Sequence, residues 1–213
     1  MDNPKPELVL LHSPASPRAE AFRVLKARLD RATPNGRPSS LLVTSPTTAE
    51  NRHAVAANLA LALAEAGTEV VLVDLDLHGP RLHGLLDLPD GPGALQCLES
   101  GTPVQDCLKP GPLPALSVLA AGGEAEVPAR LLGSRSLTEL LAELSEGGRV
   151  VVLAGPPAMP AADASLLSGA VDGVILVTTA HRTSRSSVRE ALARLEGAGA
   201  NVLGAVLDGY NGS

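Results

Sequence analysis

Aromatic side chains are almost missing from this chain: one Phe, one Tyr and no Trp in 213 residues. Hydrophobic residues nevertheless make up 45% of it, so the core has to be built from Leu, Val and Ala. Cysteine is equally scarce. Cys97 and Cys107 are ten residues apart, a spacing that matches no zinc or redox motif, and both are expected to be reduced, partly buried thiols. No apolar run is long enough to span a bilayer, and the N-terminal MDNPKPE has none of the character of a signal peptide. A cytoplasmic protein is expected. Basic residues are outnumbered, 17 against 23 acidic, for a formal net charge of −6. That balance argues against nucleic acid as a partner and against a purely electrostatic membrane anchor.

What is present is alternation. The length fits one α/β domain over residues 1–213, with an N-terminal arm and linker (1–40) and a core (41–213). Strands are predicted at Leu41–Thr44, Glu69–Asp74, Leu116–Ala120, Arg149–Ala154, Gly173–Thr178 and Asn201–Leu207. Most are continuous apolar runs, as in strands covered on both faces. Helices are predicted at Pro17–Asp30, Ala54–Ala66, Pro80–Leu86, Ala94–Glu99, Ser134–Glu146, Ala162–Ala170 and Ser184–Gly197. Ser16 and Pro17 supply an N-cap and a first helical residue for the arm. Lys109–Pro114 reads as loop, and Ala32–Ser40 as a turn-rich linker. Strands alternating with helices imply a doubly wound, mostly parallel sheet. Ligands on such sheets bind beyond the carboxyl ends of the strands, where Ser45–His53, Asp74–Pro80 and Gly155–Asp163 should gather.

Thr44–Asn58 reads TSPTTAENRHAVAAN and lies between a strand and an Ala/Leu-rich helix, the place of a phosphate-binding loop. Such a loop uses glycines so that successive N–H groups face phosphate, a Lys for the β- and γ-phosphates, and a Ser or Thr for Mg²⁺. Here the positions hold Ala49, Glu50, Asn51, Arg52, His53 and Ala54. A left-handed backbone at Ala49 would cost on the order of 1–2 kcal/mol. Asn51 tolerates that region better. Arg52 replaces a compact ammonium with a planar fork.

Several segments taken in order resemble the cytoplasmic domain of the bacterial tyrosine kinases (BY-kinases), a P-loop family related to the MinD/ParA ATPases. They are SPRAEAFRVLK in the arm, LLVTSPTTAENRHAVAANLALALAEAGTEVVLVDLDLHGPRLHGLLDL, VPARLLGS, VVVLAGPPAMPAADASLL and GANVLGAVLDG. The resemblance implies a P-loop NTPase-like fold and a role in capsular or exopolysaccharide biosynthesis and export. It also implies vestigial site residues. The family's loop reads P-G-E-G-K-[ST]; this chain has Thr48-Ala49-Glu50-Asn51-Arg52-His53. Ala154 stands where the family has a metal-organising Asp, and Asp208 where its last strand ends in Asn. Asp74 inherits the position of a general base or Mg²⁺ organiser, with Asp76 and Asp163 nearby. With two of the three Mg²⁺-organising groups gone, phosphoryl transfer should lose several kcal/mol of stabilisation. A degenerate, pseudokinase-like Walker site is therefore expected, with no catalytic residue, metal or cofactor. The alternative is an active tyrosine kinase or ATPase using ATP and Mg²⁺ through an atypical loop. A further alternative is a MinD/ParA-like positioning module, which lacks support in the missing extra loop Lys and the missing amphipathic C-terminal helix. Residual anion binding through Arg52 and Arg81 is a rival to an empty pocket.

By resemblance the partner is a Wzz-type membrane activator, an active BY-kinase or a second copy, with recruitment to the inner face of the cell membrane. Glu20, Arg23 and Lys26 match the family's E-x-x-R-x-x-[RK] helix. On one helix face they could bridge to a neighbouring subunit or pair internally. The family's tyrosine-rich tail is reduced to Tyr210, an ordinary surface residue unless an active partner phosphorylates it. His53, His78, Asp74 and Asp76 could converge as a transition-metal site, but a solvated polar pocket is the expectation.

Overall fold

The computed structural model describes residues 8–32 and 36–209; Tyr210, the N-terminal heptapeptide and part of the predicted linker lie outside the described residues. Seven strands form one sheet: β1 (Ser40–Thr44), β2 (Val70–Asp74), β3 (Lys109–Pro110), β4 (Leu116–Leu119), β5 (Val150–Ala154), β6 (Gly173–Thr179) and β7 (Val202–Asp208). The spatial order is β3-β4-β2-β5-β1-β6-β7. Every pairing is parallel except β3 with β4. The predicted mostly parallel, doubly wound sheet is what the chain forms. β1, β2 and β5 are all but completely buried, which is why they read as unbroken Leu/Val runs.

Helices α1 (Val9–His12), α2 (Pro17–Leu29) and α3 (Arg52–Glu65) stack on one face of the sheet. Helix α3 is buried on every side, from Arg52 to Ala64. It lies between the sheet and α2, so its Ala/Leu composition carries no polar face. Asn58 is the exception inside it: Nδ2 donates to the Ala54 carbonyl at 2.8 Å, and Oδ1 accepts from Leu10 N–H at 3.3 Å, tying α1 to α3. The other face carries α5 (Ala94–Ser100), α6 (Val104–Cys107), α8 (Arg135–Leu144), α9 (Asp163–Ser168) and α10 (Arg185–Gly197) around a second Leu/Val/Ala core. Short helices α4 (Leu82–Leu85) and α7 (Pro128–Leu132) complete the set.

Several expectations need correcting. The stretch Lys109–Pro114 is not all loop, because Lys109 and Pro110 pair antiparallel with Val118 and Ser117 and extend the sheet edge. The helix expected from Ala54 begins at Arg52, so Arg52 and His53 sit in its first turn. Helices α1, α6 and α7 carry too few residues to show a period, and the sequence does not mark them. Cys97 and Cys107 are reduced; Cys107 is buried and Cys97 half-buried. Burial, then a hydrogen bond to Cys107, pushes the Cys97 thiol up to about 12.

Candidate functional site

The carboxyl ends of β1, β2 and β5 converge on the first turn of α3. Asp74 ends β2 opposite Ala154, which ends β5. Both are completely buried, and the methyl of Ala154 contributes neither charge nor oxygen. Asp74 is fixed by three backbone donors: Arg81 N–H and Leu82 N–H at 2.9 Å on Oδ2, and Asp76 N–H at 3.2 Å on Oδ1. Burial nevertheless dominates these bonds and pushes its carboxyl up to about 6.

Arg52 is buried rather than open to solvent. Its Nε donates to the Gly155 carbonyl at 2.9 Å, and its Nη2 donates to Asp76 Oδ2. Both side chains are under a tenth exposed, so this is a buried ion pair within the site. It is the main correction to the expectation that Arg52 could attract an external anion. Arg81 is exposed and keeps that possibility alone. A Cβ at Gly155 would meet Leu42 Cδ1 at 2.4 Å, so a larger residue there would force the Leu42 side chain to turn away.

His53 lies against the same carboxylates, with Nε2 3.4 Å from Asp76 Oδ2 and 3.7 Å from Asp74 Oδ1. It is not an ion-pair partner. Burial, reinforced by the charges of Arg52 and Arg81, pushes its pKa down to about 3, so the imidazole is neutral at ordinary pH. His53 Nε2 and Asp76 Oδ1 are both buried and have no hydrogen-bond partner among the described residues.

The loop before α3 uses its own polar groups. Glu50 is buried; its Oε2 accepts from Thr47 N–H at 3.0 Å and Thr47 Oγ1 at 2.9 Å, and its Oε1 accepts from Thr183 Oγ1 at 2.8 Å. Thr183 in turn accepts from Thr179 N–H at 2.8 Å. The loop is thereby tied to the β6–α10 connection. Ala49 N–H donates to Thr47 Oγ1 at 3.2 Å. Neither Ala49 nor Asn51 is left-handed: Asn51 has φ −91° and ψ 43°, and Ala49 is absent from the positive-φ residues. The cost of a left-handed Ala49 therefore does not arise.

The carboxylates and histidines do not all converge. His53, Asp74 and Asp76 do, but His78 is half exposed and turns to Asp163, Nε2 to Oδ2 at 2.7 Å. Among the described residues no three His, Cys, Asp or Glu side chains are arranged to hold a metal ion. Asp208 lies apart at the end of β7, bound by Arg18 at 3.1 Å. In the arm, Arg23 forms a bidentate pair with Glu65 at 2.8 Å through each nitrogen and also reaches the Pro14 carbonyl and Glu20. Lys26 pairs with Asp30 at 2.7 Å. Within the single chain these charges pair with one another and with α3. Thr47, Thr183 and the Gly155 carbonyl were not singled out from sequence. Thr183 is 133 positions from Glu50, and no local pattern marks it.

Comparison with known proteins decides the family. Residues 42–208 match the ParA family model, described as NUBPL iron-transfer P-loop NTPase. The chain belongs to the ParA-type P-loop NTPases. Its relatives within that family carry the names of bacterial tyrosine kinases. This ParA-type chain is 30% identical to CapB of Staphylococcus aureus, over 92% of the chain and 86% of CapB. It is 28% identical to the tyrosine-protein kinase YwqD of Bacillus subtilis, over 95% and 85%. Of EpsB from Ralstonia solanacearum it spans only 26%. Among solved structures it superposes on the chimerical protein CapA2B2 with TM-score 0.88 and 29% identity, over 94% of this chain and 88% of that one. It superposes on the VpsO kinase domain with TM-score 0.82 and 30% identity, over 91% and 95%. MinD from Pyrococcus horikoshii shares the fold at TM-score 0.66.

Proposed function

We propose that this chain is a BY-kinase-type protein that no longer turns nucleotide over, and that it serves as a regulatory or scaffolding subunit in capsular or exopolysaccharide biosynthesis or export. One observation carries the reading: the cation in the loop is neutralised by Asp76 and the Gly155 carbonyl inside the protein. A triphosphate arriving at this loop would find no free charge from Arg52. It would also find the amides of Thr47 and Ala49 engaged by loop side chains, and a neutral His53 where a hydroxyl is needed for Mg²⁺. The residues present do not fit Mg²⁺–ATP.

On this reading residues 1–213 act as a single domain whose assembly state is set by partners rather than by nucleotide. A Wzz-type membrane activator, an active BY-kinase or a second copy is the partner, and recruitment brings the protein to the inner face of the membrane. The active-enzyme reading keeps one point in its favour, since Asp74 and Asp76 both remain at the end of β2. Isothermal titration with ATP and Mg²⁺, followed by a turnover assay, separates the two. We expect no Mg²⁺-dependent heat and no hydrolysis above that of an Asp74→Ala variant. Mg²⁺-dependent binding lost in Arg52→Ala would overturn the proposal.

A further inference from the structure

The last strand leaves the sheet unfinished. Among the described residues β7 pairs only with β6 and forms the free edge of the sheet. A free edge presents a row of unpaired N–H and C=O groups, and proteins ordinarily protect it with Pro, Lys or inward charges. Residues 202–208, VLGAVLD, carry none of these except Asp208 at the very end, and Asp208 is held by Arg18; a bulge interrupts the ladder between Val202 and Gly204, and from Gly204 to Asp208 the register is regular. Gly204, Ala205 and Leu207 are exposed, Leu207 by 54%.

A groove flanks this edge on each face of the sheet. One, of about 600 Å³, lies between β7 and α2 and includes Arg18, Val24, Leu25 and Arg28. The other, of about 480 Å³, lies between β7 and the start of α10 and includes Thr179, Arg185, Val188 and Arg189. Leu207 borders both. An added strand sends successive side chains to opposite faces, and here each face offers a cavity for them. The charges agree on the ligand. Arg28, Arg185 and Arg189 are exposed and take part in none of the ion pairs among the described residues. The α10-side groove has no carboxylate in its lining, and the two in the α2-side groove, Glu20 and Asp208, are paired with Arg23 and Arg18. This is a basic margin on an acidic protein.

We propose that the free edge of β7 receives an extended, acidic segment of a partner protein, which adds to the sheet as an eighth strand and places its carboxylates against Arg28, Arg185 and Arg189. Strand addition draws affinity from main-chain hydrogen bonds and selectivity from alternate side chains. A second copy pairing through its own β7 would set one arginine margin against the other, which disfavours that occupant. An anionic membrane would satisfy the arginines but not the row of backbone groups. The proposal stands independently of whether the loop before α3 binds nucleotide.

The test uses the full chain and a dye-labelled octapeptide, Glu-Glu-Val-Val-Glu-Glu-Val-Val, which as a strand sends carboxylates to both faces, read by fluorescence anisotropy and by amide hydrogen exchange. Saturable binding is expected, weakened at least tenfold by Arg185→Glu/Arg189→Glu and again by N-methylation of alternate residues of the peptide. Exchange at residues 202–208 should slow in the complex. Absence of saturable binding to 1 mM peptide (roughly the weak end of useful affinities) overturns the proposal. Equal affinity for the N-methylated peptide overturns it too, as does peptide binding that leaves exchange in β7 unchanged. Binding to phosphatidylserine vesicles without binding to the peptide reassigns the basic margin to a membrane and also overturns it. Both arginines are exposed, so the charge-reversed variant should keep its melting temperature, and a circular-dichroism melt checks that.

Discussion

Arg52 has changed employment within the fold. A position that would reach for phosphate instead closes a buried pair with Asp76. Pairs of this kind contribute little net stability, yet removing one partner strands the other charge, at about 3–5 kcal/mol. Arg52→Ala should therefore destabilise by about that amount in urea denaturation, whereas Arg52→Met/Asp76→Leu should cost much less. Equal losses in the two variants would contradict the pairing. The neighbours His53 and Asp74 should give opposite pH slopes. His53 has a depressed pKa, about 3 folded against 6.5 unfolded, so the unfolded chain binds the extra proton and stability falls as pH drops below 6.5. Asp74 has a raised pKa, about 6 against 3.8. The folded state then holds the extra proton between those values, and stability rises as pH drops through 6. Acidification from pH 7 to 5 should thus stabilise His53→Gln by about 1 kcal/mol and destabilise Asp74→Asn by about 2 kcal/mol, with wild type between them. Thermal melts across that range test the signs.

At the level of elements, the loop before α3 is held by side chains that the sequence did not advertise. In the sequence Glu50 is only one member of an altered loop motif, yet it latches that loop to the β6–α10 connection through Thr183. Glu50→Ala should speed amide exchange over residues 45–51 and 179–183 together while leaving β2 and β5 protected; faster exchange in only one of the two segments would contradict the latch. Strands β1, β2 and β5 were legible because strands buried on both faces must be apolar throughout, and α3 because a long Ala/Leu run bounded by loops has few other uses. Helices α1, α6 and α7 were not, since four or five residues cannot display a 3.6-residue period. The site was legible as a list of residues but not as a set of contacts. Asp76, Arg52 and His53 were all named, but whether Arg52 faces outward or inward is decided by Gly155, whose carbonyl meets it from 103 positions away.

For the molecule as a whole, the arm belongs to the packing. Leu8, Val9, Leu10, Ala19 and Leu29 are buried with α3, and Arg23 bridges from α2 to Glu65 at the end of α3. A chain lacking residues 1–36 should bare the outer face of α3, bind the dye ANS and melt at a lower temperature with a broader transition. Unchanged melting would show the core to be independent of the arm. The interior described above has one more consequence. Neither side of the sheet encloses an indole or a phenol, so the folded protein is nearly dark in the near ultraviolet. A tryptophan placed at half-buried Phe22, between the arm and the sheet, would be the sole indole emitter and would report docking of the arm against an empty optical background.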